Sequence, residues 1–354
     1  MLRYITTFFA TFMLSNAAYP CTFIQLGNAQ DHANAQNFDF PLGLSAGIVI
    51  NQRNVEKSAG YFANMPKHAS PAKWVSKYGS VTFGFGREVV VSGVNETGLS
   101  VYRLALGTVK YLPDHRPAMH ENQFLQYLLD TSATMDEVIQ QANAIQVYAG
   151  PYPTHFAVCD QEAKCAVIEA VAGKFHIYSD SALAVAAITN TEYPKALELL
   201  AKCPNADCQG MTNSQWRFVK AASQVKDFSG TNFMNGVFEI LDSVKETFPA
   251  EQTPTLWTLL THETGTQSQF LVKNTKSSKI ILSLDYKKLN YSCKHPVQVA
   301  LLRSNDSGDS VVFSDYTKSF QEGLATEIGK IIRLPDSEIQ AIVEYPDKYT
   351  HCLD

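Results

Sequence analysis

Apolar residues in this chain change their spacing in long blocks, and that block order limits the folds open to it. From Cys21 to Leu106 the spacing suits strands. Cys21-Thr22-Phe23-Ile24-Gln25-Leu26 alternates and stops at Gly27, and Asn37-Phe38-Asp39-Phe40 ends before Pro41. Ala46 to Ile50, Val81 to Phe85, Glu88 to Val91 and Ser100 to Leu106 follow, with Val94 to Leu99 read as a turn. Residues 120–145 then take a helical period, in which Phe124, Leu125, Tyr127, Leu128 and Leu129 give an amphipathic helix. A second helix runs to Ile145 behind a Thr134 N-cap and Glu137, the pattern of a capping box. Strands are predicted at 154–159, 165–170, 174–178 and 184–189, and helices at 193–203, 214–227 and 232–247. Strands return at 256–262, 267–273 and 279–284, and the tail at 316–345 reads as helical. A parallel sheet would need strand and helix to alternate one by one, which they do not. The order predicts an α+β fold, with two stacked, largely antiparallel sheets between helix layers, formed as one domain over residues 21–354. With 45% of 354 residues hydrophobic, the chain can fill such a core.

The first twenty residues read differently. Arg3 is the only charge before Asp31, and Ile5 to Leu14 is an apolar run broken only by threonines. Ser15, Asn16, Ala17 and Ala18 follow as small exit residues. This is the order of a secretory signal peptide, here residues 1–18, with Tyr19-Pro20 as a short pro-segment. The apolar run is too short for a permanent membrane span, and no later stretch is long enough. Tyr19-Pro20 also lacks the small residues a lipoprotein signal places before its cysteine. A secreted or periplasmic protein is expected. A net charge of −5, with no basic block, argues against a nucleic-acid partner. There is no His-Glu-x-x-His and no metal-ligand spacing among the nine histidines. No cofactor or metal is expected.

Seven cysteines are present, and an oxidising compartment favours pairing them. Cys159 and Cys165 flank a polar turn, as do Cys203 and Cys208, and Cys293 with Cys352 would tie down the tail. An odd count leaves one thiol over, and in this pairing it is Cys21. As the first residue of a mature chain, Cys21 would carry an α-amine of pKa about 7.7–8.0 beside a thiol of about 8.5. One residue would then supply both nucleophile and proton acceptor. An amide substrate would pass through a thioester that water cleaves.

At this point the start of the mature chain resembles the choloylglycine hydrolase/penicillin V acylase family, whose processed N-terminal Cys precedes a Gly-Arg-Asn-x-Asp segment. Further segments match in the same order. Gly93-Val94-Asn95-Glu96-Thr97-Gly98-Leu99 is similar to the family's Gly-Met-Asn-Glu-x-Gly-Leu turn, and Ile188-Thr189-Asn190 to its Leu-Thr-Asn. Ser214-Gln215-Trp216-Arg217-Phe218 resembles its Ser-x-Arg-Phe with one extra residue, and Trp257-Thr258 opens strands like those of its C-terminal sheet. The resemblance implies a four-layer αββα N-terminal-nucleophile (Ntn) hydrolase sandwich. It implies hydrolysis of linear amides in small-molecule N-acyl compounds such as penicillin V, conjugated bile salts or N-acyl homoserine lactones. It also implies a homo-oligomer.

Site roles follow from the same resemblance. Cys21 would be nucleophile and base, and Asp39 would hold its amine and orient the thiol. Asn190 would donate to the oxyanion together with the backbone N–H of Ala105. Arg217 would fix the surroundings of Cys21. Two positions depart from the pattern. Gln36 stands where the family has an Arg, and Ala105 where it has Asn or Tyr. Gln36 can hydrogen-bond but brings no charge, so Arg103 or Arg217 is expected to supply the cation beside the thiol. These departures keep open a catalytically impaired secreted binding protein on the same scaffold. A third reading is a Cys–His hydrolase using Cys21 with His32 or His155; His155, on an apolar strand, reads more simply as a structural histidine.

Overall fold

The computed structural model describes residues 21–353, apart from residues 42, 61–64, 67–68, 113, 149, 151–152, 172–173, 247–252 and 306–310. The signal and pro-segment expectations fall on residues 1–20, outside the described residues.

Two antiparallel sheets dominate. The six-stranded sheet orders Ala187–Ile188, Cys21–Gly27, Asp31–Asp39, Thr255–Thr264, Ser268–Asn274 and Lys279–Asp285 from edge to edge. The nine-stranded sheet orders Lys174–Ser179, Cys165–Val171, Thr154–Cys159, Ser100–Ala105, Val90–Asn95, Ser80–Gly84, Ser45–Asn51, Gln298–Arg303 and Ser314–Asp315. The first hairpin sets the register that matters for chemistry, placing Cys21 opposite Phe38 and Gly27 opposite His32. It turns at Gly27, where φ is +107° and a Cβ would stand 2.2 Å from the Asp31 carbonyl oxygen.

The sheets meet face to face. Phe23 packs on Tyr102 with ring centroids 4.6 Å apart, and Phe83 contacts both Phe38 (5.5 Å) and Trp257 (5.4 Å). Tyr102 fixes the stacking by donating across it to the Asn34 carbonyl oxygen at 2.9 Å. Helices Glu121–Thr131 and Met135–Ala144 cover the outer face of the nine-stranded sheet, through Phe124, Leu125 and Leu128 against Val101, Phe156 and Val158. The Thr134/Glu137 capping box is formed. Helices Asn213–Asp227 and Phe233–Ser243 lie along the six-stranded sheet, and Tyr193–Lys202 packs on Asn213–Asp227. Helices Lys318–Ile331 and Asp336–Tyr349 close the far end. The architecture is the expected α+β sandwich.

Several features differ from the sequence reading, among them short unpredicted strands at Val55–Ser58, Lys73–Val75 and Thr350–Cys352. The strand containing Asp39 begins at Asp31, because Asn34 and Gln36 are buried in the sheet despite their polarity. Asn34 meets this burial by donating to Ser100 Oγ at 3.1 Å. The tail is two helices, divided at Arg333, whose φ of +56° ends the first, and Pro335 is the N-cap of the second. Gln298–Arg303 is an additional strand paired with Ser45–Asn51. The disulfides are Cys159–Cys165, Cys203–Cys208 and Cys293–Cys352, with Cα separations of 4.0, 5.8 and 5.6 Å. Cys21 is the free cysteine and is buried. Among the described residues no helix is long and apolar enough to cross a membrane.

Candidate active site

Cys21 opens an inner strand of the six-stranded sheet, next to the short edge strand that delivers Asn190. Its backbone nitrogen donates to Asn190 Oδ1 at 2.8 Å. Asn190 Nδ2 in turn donates to the Ala105 carbonyl oxygen at 2.8 Å, linking the two sheets beside Cys21. Arg217 reaches in from the Asn213–Asp227 helix and is 1% exposed, so its charge needs partners. Nη1 donates to the Cys21 carbonyl oxygen (2.6 Å) and Thr22 Oγ1 (2.7 Å), and Nη2 to Asn190 Oδ1 (3.0 Å). Nε donates to Asn213 Oδ1 at 2.7 Å and lies 3.1 Å from Glu246 Oε1, its buried counter-ion. One guanidinium thus ties a helix, the first strand and the end of the edge strand to Cys21.

Asp39 ends the neighbouring strand. Its Oδ1 accepts from Thr255 Oγ1, while its Oδ2 is buried with no hydrogen-bond partner among the described residues. Burial pushes the carboxyl from 3.8 up to about 8, aided by the charge of Glu246 and opposed by Arg217 and the Thr255 hydroxyl. The Cys21 thiol is pushed up to about 12, first by burial and then by the negative charge of Asp39. The Asp39 backbone N–H, the Arg217 charge and a hydrogen bond from Gln36 act in the opposite direction. In this environment the thiol keeps its proton at neutral pH unless a base takes it.

The raised Asp39 pKa has a consequence for stability. The folded state holds a proton on Asp39 over a range where the unfolded chain has released it. Stability from this group is therefore full below about pH 4 and declines as pH rises toward about 8. Asp39→Asn should flatten that decline in the chain that still carries Pro20. Urea midpoints between pH 4 and 8 that fall as steeply in the variant as in wild type would contradict the assignment.

A cavity of about 110 Å³ opens beside Cys21. Phe38, Phe40, Phe85, Val89 and Val91 line one part, and Ile328, Ile332, Leu334 and Ile342 bring in the C-terminal helices. Arg103, Ala105, Asn122 and Thr154 complete the wall.

The structure brings Asp39, Asn190 and Arg217 to Cys21, with Gln36 and Ala105 adjoining. Of the two arginines considered as the cation for the thiol, Arg217 is the one whose charge lowers its pKa. Arg103 is directed to Asn122 and Glu121 instead. Neither histidine of the third reading joins Cys21. His155 is fully buried between Glu169 Oε1 (2.8 Å) and the Thr189 carbonyl oxygen (2.6 Å). His32 sits opposite Gly27, at the other end of the first hairpin from Cys21. Sequence reasoning missed Glu246, Thr255 and the apolar wall from the C-terminal helices. Glu246 and Thr255 carry no motif, and the helices show an apolar face without showing what it covers.

Comparison with known proteins adds to this geometry. Residues 21–201 match the family model described as linear amide C–N hydrolases, choloylglycine hydrolase family. A penicillin V acylase of Pectobacterium atrosepticum is 27% identical over 202 residues, a match covering 47% of this chain and 50% of that protein. The chain therefore spans about half the length of that relative. Among solved structures, penicillin V acylase from Agrobacterium tumefaciens aligns with a TM-score of 0.65 at 22% identity, over 84% of this chain and 98% of that one. A variant of conjugated bile acid hydrolase from Clostridium perfringens aligns with a TM-score of 0.62 at 15% identity, over 84% and 97%. These structural likenesses concern the fold, which is the Ntn-hydrolase sandwich.

Proposed function

The chain belongs to the choloylglycine hydrolase family of linear amide C–N hydrolases, and on that premise we propose that it hydrolyses N-acyl compounds through Cys21 acting as an N-terminal nucleophile. The observation that carries the reading is the setting of Cys21. It is the one cysteine outside a disulfide among the described residues, and it lies in the wall of an apolar cavity. Arg217, Asn190 and Asp39 converge on it.

With Pro20 attached, the Cys21 nitrogen is an amide and cannot accept a proton. Residues 1–18 are taken as the signal peptide and 19–20 as a segment removed with it or after it. Residues 21–354 remain as one secreted or periplasmic domain. The freed α-amine then takes the thiol proton, and Asp39, whose Oδ2 is buried with no hydrogen-bond partner among the described residues, holds the resulting ammonium. The thiolate attacks the amide carbonyl carbon. Ala105 N–H and Asn190 Nδ2 receive the oxyanion, and Arg217 keeps Asn190 and Cys21 in register. The C–N bond breaks as the ammonium gives its proton to the departing amine. Water, deprotonated by the same amine, cleaves the thioester, so a carboxylic acid leaves and the thiol is restored.

The cavity's aromatic and aliphatic lining suits an apolar acyl group. Penicillin V, glycine-conjugated bile salts and N-acyl homoserine lactones are the test panel for the mature protein. Turnover of at least one with release of its amine is expected. A chain beginning at Cys21 that cleaves none of them would favour the binding-protein reading.

A further inference from the structure

The cavity beside Cys21 holds one formal charge among its described lining residues, the guanidinium of Arg103. A charge in a largely apolar wall is costly unless it is paired or used. The thiol does not, since the cation acting on it is Arg217. Arg103 lies two residues before Ala105 on the same strand, and its carbonyl oxygen accepts from Gln36 Nε2 at 2.7 Å. Its position relative to the nucleophile is therefore fixed by the backbone.

The head group is oriented without being fully neutralised. Nη1 donates to Asn122 Oδ1 at 2.6 Å. Nη2 stands 3.5 Å from Glu121 Oε1, longer than a well-formed charged hydrogen bond. Glu121 also accepts from the Gly150 N–H at 3.0 Å and the Thr154 hydroxyl at 3.4 Å. Burial pushes the Glu121 carboxyl up to about 7, against the opposing charge of Arg103 and its hydrogen bonds from Gly150 and Thr154.

An amide held with its carbonyl carbon at Cys21 divides into an acyl half and an amine half. Phe38, Phe40 and Phe85 contact one another at 5.6–6.1 Å between centroids and offer the acyl half an aromatic wall. Arg103, Asn122 and Thr154 form the polar part of the lining. We propose that Arg103 anchors a carboxylate on the amine half, so that the preferred substrates are N-acyl amino acids with a free carboxylate rather than N-acyl amides with neutral amine halves. This rests on the amide-hydrolase reading. The planar fork of the guanidinium matches a carboxylate in a way that a neutral lactone or carboxamide does not.

The test compares two probes with the same acyl chain, N-decanoylglycine and N-decanoylglycinamide, on the mature full-length protein. Wild type is expected to favour the acid by at least about 10-fold in kcat/KM. Arg103→Gln is expected to lose about 10- to 100-fold on the acid, mainly through KM, and to stay within about threefold on the amide. Arg103→Lys, which keeps the charge, should recover part of the preference. The acid-to-amide ratio within each variant corrects for any loss of folded protein. Equal losses on both probes, or a wild type that does not distinguish them, would overturn the role of Arg103 while leaving the hydrolase reading intact. A wild type that cleaves neither probe and nothing in the substrate panel would remove the hydrolase reading and this one with it.

Discussion

Cys21→Ala should reduce amide hydrolysis by at least about 10³-fold while leaving the fold intact, because in the proposed mechanism the sulfur forms the covalent intermediate and no other residue replaces it. The remaining six cysteines are held in three disulfides, so no second thiol can take over. The same reasoning predicts a labelling pattern. In the chain that retains Pro20, burial keeps the thiol protonated, with a pKa near 12, and iodoacetamide should react slowly. In the mature protein the adjacent amine should make Cys21 the one position alkylated, with activity lost in proportion. A Cys21→Ala variant that keeps a tenth of wild-type turnover would contradict the nucleophile assignment.

The second large effect is expected at Arg217. Arg217→Met removes a buried cation and its ion pair with Glu246, which is 7% exposed. It also removes the donors to the Cys21 carbonyl oxygen, Thr22 Oγ1 and Asn190 Oδ1. Breaking a buried pair from one side costs about 3–5 kcal/mol, which denaturant unfolding would read as a lower midpoint. Activity should fall further than the loss of folded protein explains, because the same charge holds the thiol pKa down and fixes Asn190. Arg217→Lys should recover only part of either loss, since one ammonium cannot span acceptors on three separate elements. Wild-type stability in Arg217→Met would show that the guanidinium does not organise the site.

These two residues also show what the sequence could convey. Cys21 stood out by arithmetic, as the odd thiol placed just after a signal-like segment. The sandwich followed from blocks of period-two and helical spacing, and the capping box at Thr134 and Glu137 marked a helix start correctly. Arg217 and Asn190 carry no such local mark. They meet Cys21 across separations of 196 and 169 residues, and only the collinear family resemblance singled them out. The strand from Asp31 was partly hidden because its buried side chains, Asn34, Gln36 and Asn37, are polar and answered by distant partners such as the Leu241 carbonyl oxygen, 2.9 Å from Asn37 Nδ2. The cavity wall from Ile328, Ile332 and Ile342 was illegible for a related reason. An apolar helix face reports that it is covered, and tertiary packing decides by what.

Catalysis by Cys21 in the proposed manner requires that its upstream neighbour be absent from the working protein. N-terminal sequencing and intact-mass measurement of exported, active protein tests this directly. A chain that begins at Cys21 with an unblocked amine is predicted. Fully active protein that begins at Tyr19, or that retains any residue before Cys21, would contradict it.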